Sequence, residues 1–152
     1  MLKQKNSQEN DLKISWSSYE RLCKQLHHRI EFHPDAILCI NSGGLLVGKL
    51  LSEYMQKPLF VVSAKSYQGR ERGRLRFEGI SLLQKIRGDL LLVDDIVDSG
   101  KTLQYISKKV KALPGIRTLK TATLIFKPRS CFKPDYYMLE DSRWVIFPYE
   151  NG

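Results

Sequence analysis

The sequence predicts a single α/β domain in which a central parallel sheet is flanked by helices. The chain has 152 residues, which is the length of one domain with a sizeable core. Short apolar segments alternate with amphipathic segments, as in folds where helices connect parallel strands. The unbroken apolar run of residues 90–93 is typical of a central strand that is covered on both faces.

The first part of the chain predicts a polar arm, two helices and two strands. We assign residues 1–13 to the arm and residues 14–152 to the domain. The first helix has Ser15, Ser17 or Ser18 available as its N-cap. A strand over residues 36–40 follows, then a second helix and a strand over residues 59–63. The apolar faces of the two helices contain Tyr19, Leu22, Cys23, Leu26 and Ile30, and Val47, Leu50, Leu51 and Tyr54, respectively.

The second part of the chain is organised around the strand that begins near residue 90. Before this strand lies the basic segment 65–76, which we interpret as a mobile loop that attracts anions. Residues 79–87 are helical or irregular, and Gly88-Asp89 turns the chain into the strand. The elements expected after it are a helix with Leu103, Ile106, Val110 and Leu113 that is closed by Pro114-Gly115, strands over residues 118–126 and 136–139, and the terminal segment 144–150.

The composition excludes several classes of protein. No apolar stretch approaches the roughly 20 residues of a transmembrane helix. The polar start lacks the apolar run of a secretory signal, so we expect a cytoplasmic protein. The formal charge of +9 fits either simple solubility or an anionic ligand, such as a polyphosphate substrate or a nucleic acid. The spacings of Cys23, Cys39 and Cys131, and of His27, His28 and His33, favour neither a disulfide framework nor a metal site.

Residues 91–102, which read LLVDDIVDSGKT, contain the most specific signal in the chain. Gly100 allows a close backbone approach, and the amides of residues 99–102 would lie at the N-terminus of the next helix, where phosphate binds well. Asp94 and Asp95 should lie where the strand ends and point to opposite faces. They would then hold different groups, such as sugar hydroxyls and a metal-bound oxygen, rather than form a tight pair. A sugar phosphate fits both halves.

A second glycine-containing segment, residues 43–49, matches most of the phosphate-binding loop G-x-x-x-x-G-K-[ST] of nucleotide hydrolases. Its final position is Leu50, which has no hydroxyl for Mg²⁺. The predicted helix also places Gly48 and Lys49 in its interior rather than in a loop. We therefore reject the hydrolase interpretation and retain residues 41–44 as a small-residue turn at a strand end.

The stretch of residues 91–102 resembles the phosphoribosyl pyrophosphate signature of the type I phosphoribosyltransferases. The turn of residues 41–44, the basic segment 65–76, Lys127 and the terminal segment 144–150 follow the order seen in the branch that uses 6-oxopurines. The resemblance extends from Trp16 to near the end of the chain. It is closest to small xanthine, guanine or hypoxanthine phosphoribosyltransferases, and it implies a small hood formed by the terminal segments.

By this resemblance, the paired acids and two turns would hold the donor, phosphoribosyl pyrophosphate. Asp94 and Asp95 would bind the ribose hydroxyls, with Asp95 also near the Mg²⁺ of the donor. Asp98 would face N7 of the purine and take or share its proton. Its alternative role is to cap the following helix. The two donor-binding turns would contribute Ser42, Gly43 and Gly44, and Ser99, Gly100, Lys101 and Thr102.

The same resemblance implies a base pocket. Lys127 would donate to the 6-oxygen of the purine, Trp144 would stack on the ring, and the backbone of Val145 would read the base edge. The alternatives are a free surface lysine at position 127 and a core tryptophan at position 144. Glu150 would lie near a second metal ion.

Two departures from the family pattern occur at the candidate site. Ser42 stands where many relatives carry a basic residue, so pyrophosphate contacts would depend more on the arginines of residues 65–76. Tyr149 stands where a second tryptophan is common, which would alter the packing around the base. Neither change removes a group that the chemistry requires.

The sequence thus predicts an enzyme of purine salvage that joins a 6-oxopurine to phosphoribosyl pyrophosphate, giving a nucleoside monophosphate and pyrophosphate. We expect Mg²⁺ as cofactor and a homo-oligomer, a dimer or tetramer, without nucleic acid or membrane partners. The alternatives are a regulatory protein of the same fold that binds phosphoribosyl pyrophosphate or a nucleotide, and a phosphoribosyltransferase for another base. The residues do not rank guanine, xanthine and hypoxanthine.

Overall fold

The structure is a computed structural model that describes residues 10–66, 75–79 and 83–150. Helix α1 spans Trp16–Arg29, and the Ser15 hydroxyl caps it by accepting from the Ser18 amide, as predicted. Helix α2 spans Gly44–Met55 and helix α3 spans Lys101–Lys111. None of the helices in the described part combines the length and apolarity that a bilayer crossing requires.

Five parallel strands form the centre of a six-stranded sheet, which confirms the predicted fold class. The sheet order is β4-β3-β2-β5-β6-β7, and β4 is antiparallel to β3. The eight strands of the described residues are β1 (Leu12–Lys13), β2 (Ala36–Asn41), β3 (Leu59–Ser66), β4 (Leu75–Glu78), β5 (Gly88–Val97), β6 (Ile116–Phe126), β7 (Tyr136–Glu140) and β8 (Val145–Ile146).

Helices cover both faces of the sheet, and the side chains of consecutive residues in β5 pack on opposite faces. Leu91 and Val93 are buried in the same cluster as the apolar residues of α1 and α2. Leu90 and Leu92 are buried in the cluster that contains the apolar face of α3. This two-sided burial explains why the strand has an unbroken apolar sequence.

Several strands differ from the predicted ones: β3 continues to Ser66 and β6 begins at Ile116. β5 begins at Gly88 rather than after a turn, and it continues through the two acids to Val97, because β6 still pairs with it there. The ladder with β2 stops at Val93, so only that side of β5 is open beside the acids. β4 was not predicted, since its first two residues, Leu75 and Arg76, were interpreted as the end of the basic loop.

The chain ends form the predicted hood. β1 and β8 pair in parallel, with the Leu12 amide donating to the Trp144 carbonyl at 2.8 Å and the Ile14 amide to the Ile146 carbonyl at 2.9 Å. A short 3₁₀ turn, Pro148–Glu150, follows β8. The boundary between an arm and a domain at residues 13 and 14 stays a prediction.

Two predicted segments are described only in part. Most of the basic loop, residues 67–74, lies outside the described residues, and the chain on either side of it belongs to β3 and β4. Within the predicted helical or irregular segment 79–87, the Ile86 amide donates to the Leu83 carbonyl in a turn.

Candidate active site

A cleft of about 320 Å³ opens at the carboxyl ends of β2 and β5, beside the start of α3. This is the edge of a parallel sheet where ligands bind in open α/β folds. The predicted site residues that line it are Gly43, Asp94, Asp95, Asp98, Ser99, Gly100 and Thr102. The fold therefore brings the acids of β5 and parts of both small-residue turns to one cavity.

Asp94 and Asp95 are neighbours near the carboxyl end of β5. The Asp95 amide donates to Asp94 Oδ1 at 2.9 Å. Burial raises the pKa of Asp94 strongly, and the negative charge of Asp95 adds to the shift. Burial also raises the pKa of Asp95. That the two acids hold different groups stays a prediction.

The glycines of the neighbouring turn explain how both carboxyl groups reach the cleft. A Cβ at Gly43 would lie 2.6 Å from Asp95 Oδ2, and a Cβ at Gly44 would lie 3.3 Å from Asp94 Oδ1 and 2.6 Å from the Val93 carbonyl oxygen. Because neither side chain is present, the acids occupy the space beside the turn. These glycines therefore serve the acids as well as any close approach of a ligand.

The rest of that turn divides between two cavities. Gly43 lines the cleft, whereas Ser42 is exposed and lines an adjacent apolar cavity of about 490 Å³. The Ser42 carbonyl accepts from the Leu45 amide, and the peptide bond between Asn41 and Ser42 is cis. Gly48 and Lys49 lie inside α2, which agrees with the rejection of the nucleotide-hydrolase loop.

The predicted phosphate turn leads directly into α3. Gly100 is the N-cap residue and has φ +85°, and a Cβ there would lie 2.3 Å from Ser130 Oγ and 2.7 Å from the Phe132 nitrogen. A glycine is thus required both by conformation and by space. Gly100 offers no side chain to the first-turn amides of the helix, and Ser99 Oγ accepts only from the Lys101 amide, at 3.3 Å. The helix N-terminus beside Thr102 suits an anion.

Asp98 lies opposite two cationic side chains rather than at a helix cap. The Arg129 guanidinium donates to Asp98 Oδ1, with Nε at 3.1 Å, and Lys127 Nζ lies 3.7 Å from the same oxygen. Since Gly100 is the N-cap of α3, the alternative capping role of Asp98 was wrong. Arg129 was missed, although its position two residues beyond Lys127, where β6 ends next to β5, was a usable signal.

Lys127 and Trp144 form one contact at the mouth of the site. The lysine is only 3% exposed, which excludes a free surface side chain. Trp144 is 66% exposed, which excludes a core tryptophan. Lys127 Nζ lies 5.6 Å from the centroid of the Trp144 ring, within cation–π range. Val145 is buried in β8, so its backbone is fixed next to the exposed ring.

The turn after β8 places Tyr149 and Glu150 near the acids of β5. The Tyr149 hydroxyl donates to Asp95 Oδ2, and burial, followed by the charge of Asp95, raises the pKa of Tyr149 well above its ordinary range. Glu150 Oε2 accepts from the Phe147 amide at 2.8 Å. Within the described ranges, no three His, Cys, Asp or Glu side chains converge as a metal site.

Comparisons with known proteins agree on one family. The model of the phosphoribosyl transferase domain matches residues 10–150. A xanthine-guanine phosphoribosyltransferase of Chromohalobacter salexigens is 29% identical over 91% of this chain and 83% of its own. A purine phosphoribosyltransferase structure from Pyrococcus horikoshii is 31% identical, with a TM-score of 0.81 over 92% of this chain and 94% of its own. A xanthine-guanine-hypoxanthine phosphoribosyltransferase of Helicobacter pylori, 22% identical over 92% of each chain, shares the fold with a TM-score of 0.79.

Proposed function

The chain belongs to the phosphoribosyl transferase domain family, and from this premise we propose that it converts a 6-oxopurine to a nucleoside monophosphate in purine salvage. The donor is phosphoribosyl pyrophosphate, the acceptor is guanine, xanthine or hypoxanthine, and the second product is pyrophosphate. The observation that carries this proposal is the position of Asp98 between the phosphate turn of one cleft wall and the Lys127–Trp144 pair.

The donor is held by the acids and turns that line the cleft. Asp94 and Asp95 accept the ribose hydroxyls, and the 5-phosphate binds the backbone at residues 99–102. Gly43 and Gly44 bring backbone amides to the pyrophosphate, with the Ser42 hydroxyl beside them. The arginines of residues 65–76 supply the remaining positive charge to the pyrophosphate.

Mg²⁺ fits the oxygen donors at Asp94 and Asp95. This ion usually binds one or two carboxylates together with substrate oxygens, so a larger cluster of acids is not required. Burial disfavours the ionised form of both acids, and a divalent cation offsets that cost. When bound, Mg²⁺ stabilises the negative charge of the leaving pyrophosphate. Glu150 is the further acid available to a second ion.

The base stacks on the exposed ring of Trp144, beside the buried cation of Lys127. Stacking on the ring orients the purine, and Lys127 donates to the 6-oxygen, which an adenine base would not offer. The backbone of Val145 reads the edge of the base. Together these groups favour a 6-oxopurine over a 6-aminopurine.

Asp98 moves the proton in the chemical step. The purine N9 forms a bond to the anomeric carbon while the bond from that carbon to the pyrophosphate oxygen breaks, and the electron pair leaves with pyrophosphate. The proton on N7 passes to the Asp98 carboxylate, which keeps the purine nucleophilic as the bond forms. Arg129 and Lys127 keep that carboxylate surrounded by positive charge before the base arrives.

The test is a spectrophotometric assay with phosphoribosyl pyrophosphate, Mg²⁺ and each of guanine, xanthine and hypoxanthine, with adenine as the comparison base. We expect turnover with at least one 6-oxopurine and little with adenine. Tight donor binding without turnover of any base would contradict the proposal and favour a regulatory binding protein. Gel filtration with light scattering checks the proposed dimer or tetramer.

A further inference from the structure

The Tyr149 side chain reaches the acids of β5 from the hood, 54 residues away in sequence. Its hydroxyl donates to Asp95 Oδ2. In the described part of the chain, no lysine or arginine forms an ion pair with Asp94 or Asp95. The phenol is therefore the side-chain donor that compensates the Asp95 carboxylate before any ligand binds.

The surroundings hold the Tyr149 ring in place. It stacks on Phe147 with ring centroids 5.3 Å apart and an interplanar angle of 6°. The ring of Tyr19, which is 1% exposed, meets it edge-on at 5.8 Å. Because both partners are buried, the hydroxyl has few alternative positions.

The turn that carries Tyr149 is closed by hydrogen bonds at both ends. The Phe147 amide donates to Glu150 Oε2 at 2.8 Å, and the Glu150 amide donates to the Phe147 carbonyl at 3.0 Å. The hood thus presents the phenol on a short, internally bonded turn. A hydroxyl on such a turn holds its hydrogen-bond acceptor in a better-defined position than a hydroxyl on an open loop would.

The Asp95 carboxyl group is enclosed on its other side by the turn after β2. A Cβ at Gly43 would lie 2.6 Å from Oδ2 and 2.7 Å from Oδ1 of Asp95. The carboxyl group is confined between this backbone and the phenol. Asp95 also lines the cleft, where a ligand would meet this carboxyl group.

We propose that Tyr149 is a positioning residue for the donor: its hydroxyl fixes the Asp95 carboxyl group so that the group meets the ribose and the metal-bound pyrophosphate of phosphoribosyl pyrophosphate. This inference rests on the proposed function, because it names that donor as the ligand. Tyr149 acts through Asp95 and takes no part in the bond changes. Its loss therefore weakens donor binding and leaves base binding almost unchanged.

The test variant is Tyr149→Phe, which removes one hydroxyl and keeps the ring. The matched control is Tyr54→Phe, which removes a phenolic hydroxyl from α2 beside His27, away from the cleft. Calorimetry with phosphoribosyl pyrophosphate and Mg²⁺ should show a Kd raised about tenfold for Tyr149→Phe, the order expected for a lost hydrogen bond to a charged group. Tyr54→Phe should bind like the wild type.

Steady-state kinetics and thermal unfolding separate positioning from a structural role. We expect the KM for the donor to rise, the KM for the purine and kcat to change less than about twofold, and the Tm to stay close to that of Tyr54→Phe. Equal donor affinity in wild type and Tyr149→Phe would overturn this inference alone. A wild type that does not bind phosphoribosyl pyrophosphate would overturn the proposed function, and this inference with it.

Discussion

Three acids at the carboxyl end of β5, Asp94 and Asp95 within the strand and Asp98 just after it, lie in two regions with different surroundings. Asp94 and Asp95 lie on the side of the strand next to α2 and the hood, where their described neighbours are glycines, a tyrosine hydroxyl and each other. Asp98, three residues further on, lies against Lys127 and Arg129. Among the described residues, the first region has no ion-pair partner, whereas the second has two cationic side chains.

A ligand would supply the partners that stabilise Asp94 and Asp95, whereas the charge of Asp98 is already balanced before a ligand binds. Burial raises the pKa of both Asp94 and Asp95, so sugar hydroxyls or a cation would stabilise the pair. Asp98 already has Lys127 and Arg129 as counter-charges. When the base binds, it needs only to exchange one of these contacts for a contact with the base. The first region therefore suits binding, and the second suits proton transfer.

The largest expected effect comes from removing the proton acceptor in the balanced region. Asp98→Asn should lower kcat by about 10²–10³-fold, the range of one general base, while the Kd of the donor stays nearly constant. The control is Asp89→Asn, which changes a carboxylate paired with Arg117 at the opposite end of β5. Unchanged turnover in the Asp98 variant would show that another group takes the proton.

The base pocket next to Asp98 gives the second prediction. Trp144→Ala removes the exposed ring that lies over Lys127 Nζ and should raise the KM for the purine about tenfold or more, as expected when a stacking surface is lost. The KM for the donor should change little, because the acids and the phosphate turn are intact. Equal losses for both substrates would mean that the tryptophan supports the fold of the hood rather than the base.

The third prediction concerns Asp94 in the first region. Because burial raises the pKa of Asp94 in the folded protein, the folded state binds more protons than the unfolded one, and stability falls as the pH rises from about 4 through the folded-state pKa. Asp94→Asn avoids this cost and should raise the Tm of the ligand-free protein at pH 8 by a few degrees. The gain should disappear as the pH falls towards 4.

The same variant, Asp94→Asn, should lose affinity for the donor although it gains stability. Asp94→Asn should bind phosphoribosyl pyrophosphate more weakly at pH 8, because an amide replaces a carboxylate that accepts a ribose hydroxyl. A variant that is more stable yet binds less well is the expected trade-off at a site kept for function. A lower Tm at pH 8 would show that Asp94 stabilises the empty protein, contrary to the proposed contrast.

Sequence patterns predicted the elements better than the contacts between them. The apolar run before Asp94, the glycines of both turns and the spacing in α1 each follow from local chemistry. The pairing of β4 with β3 depends on partners brought together by the fold, and β4 has only four residues, LRFE, which is too short for a clear pattern. The roles assigned to the site residues stay predictions.

Two features of the site depend on segments that are far apart in sequence, so hydrophobic periodicity does not predict them. Tyr149 and Asp95 are 54 residues apart, and their contact requires the hood to close over the strand end. The room beside the two acids comes from the turn after β2, where a Cβ at Gly43 would lie 2.6 Å from Asp95 Oδ2 and a Cβ at Gly44 would lie 3.3 Å from Asp94 Oδ1. Both depend on space made by other segments, which a local pattern does not contain.

The smallest expected effect is that of replacing Arg129. It tests how much of the positive charge that Asp98 needs comes from Arg129 and how much from Lys127. Arg129 contacts Asp98 from a side chain that is 69% exposed, whereas the Lys127 side chain is 4% exposed. An exposed ion pair contributes at most about 1 kcal/mol, so Arg129→Ala should leave the free energy of unfolding nearly unchanged and alter kcat less than about fivefold. Arg143→Ala, which removes a comparable pair with Asp141, is the matched control.

Because Lys127 still lies beside the carboxylate, Asp98 keeps a counter-charge when the arginine is gone. A loss of kcat as large as that of Asp98→Asn would instead place the essential positive charge on Arg129, and the lysine would then be left with base recognition alone.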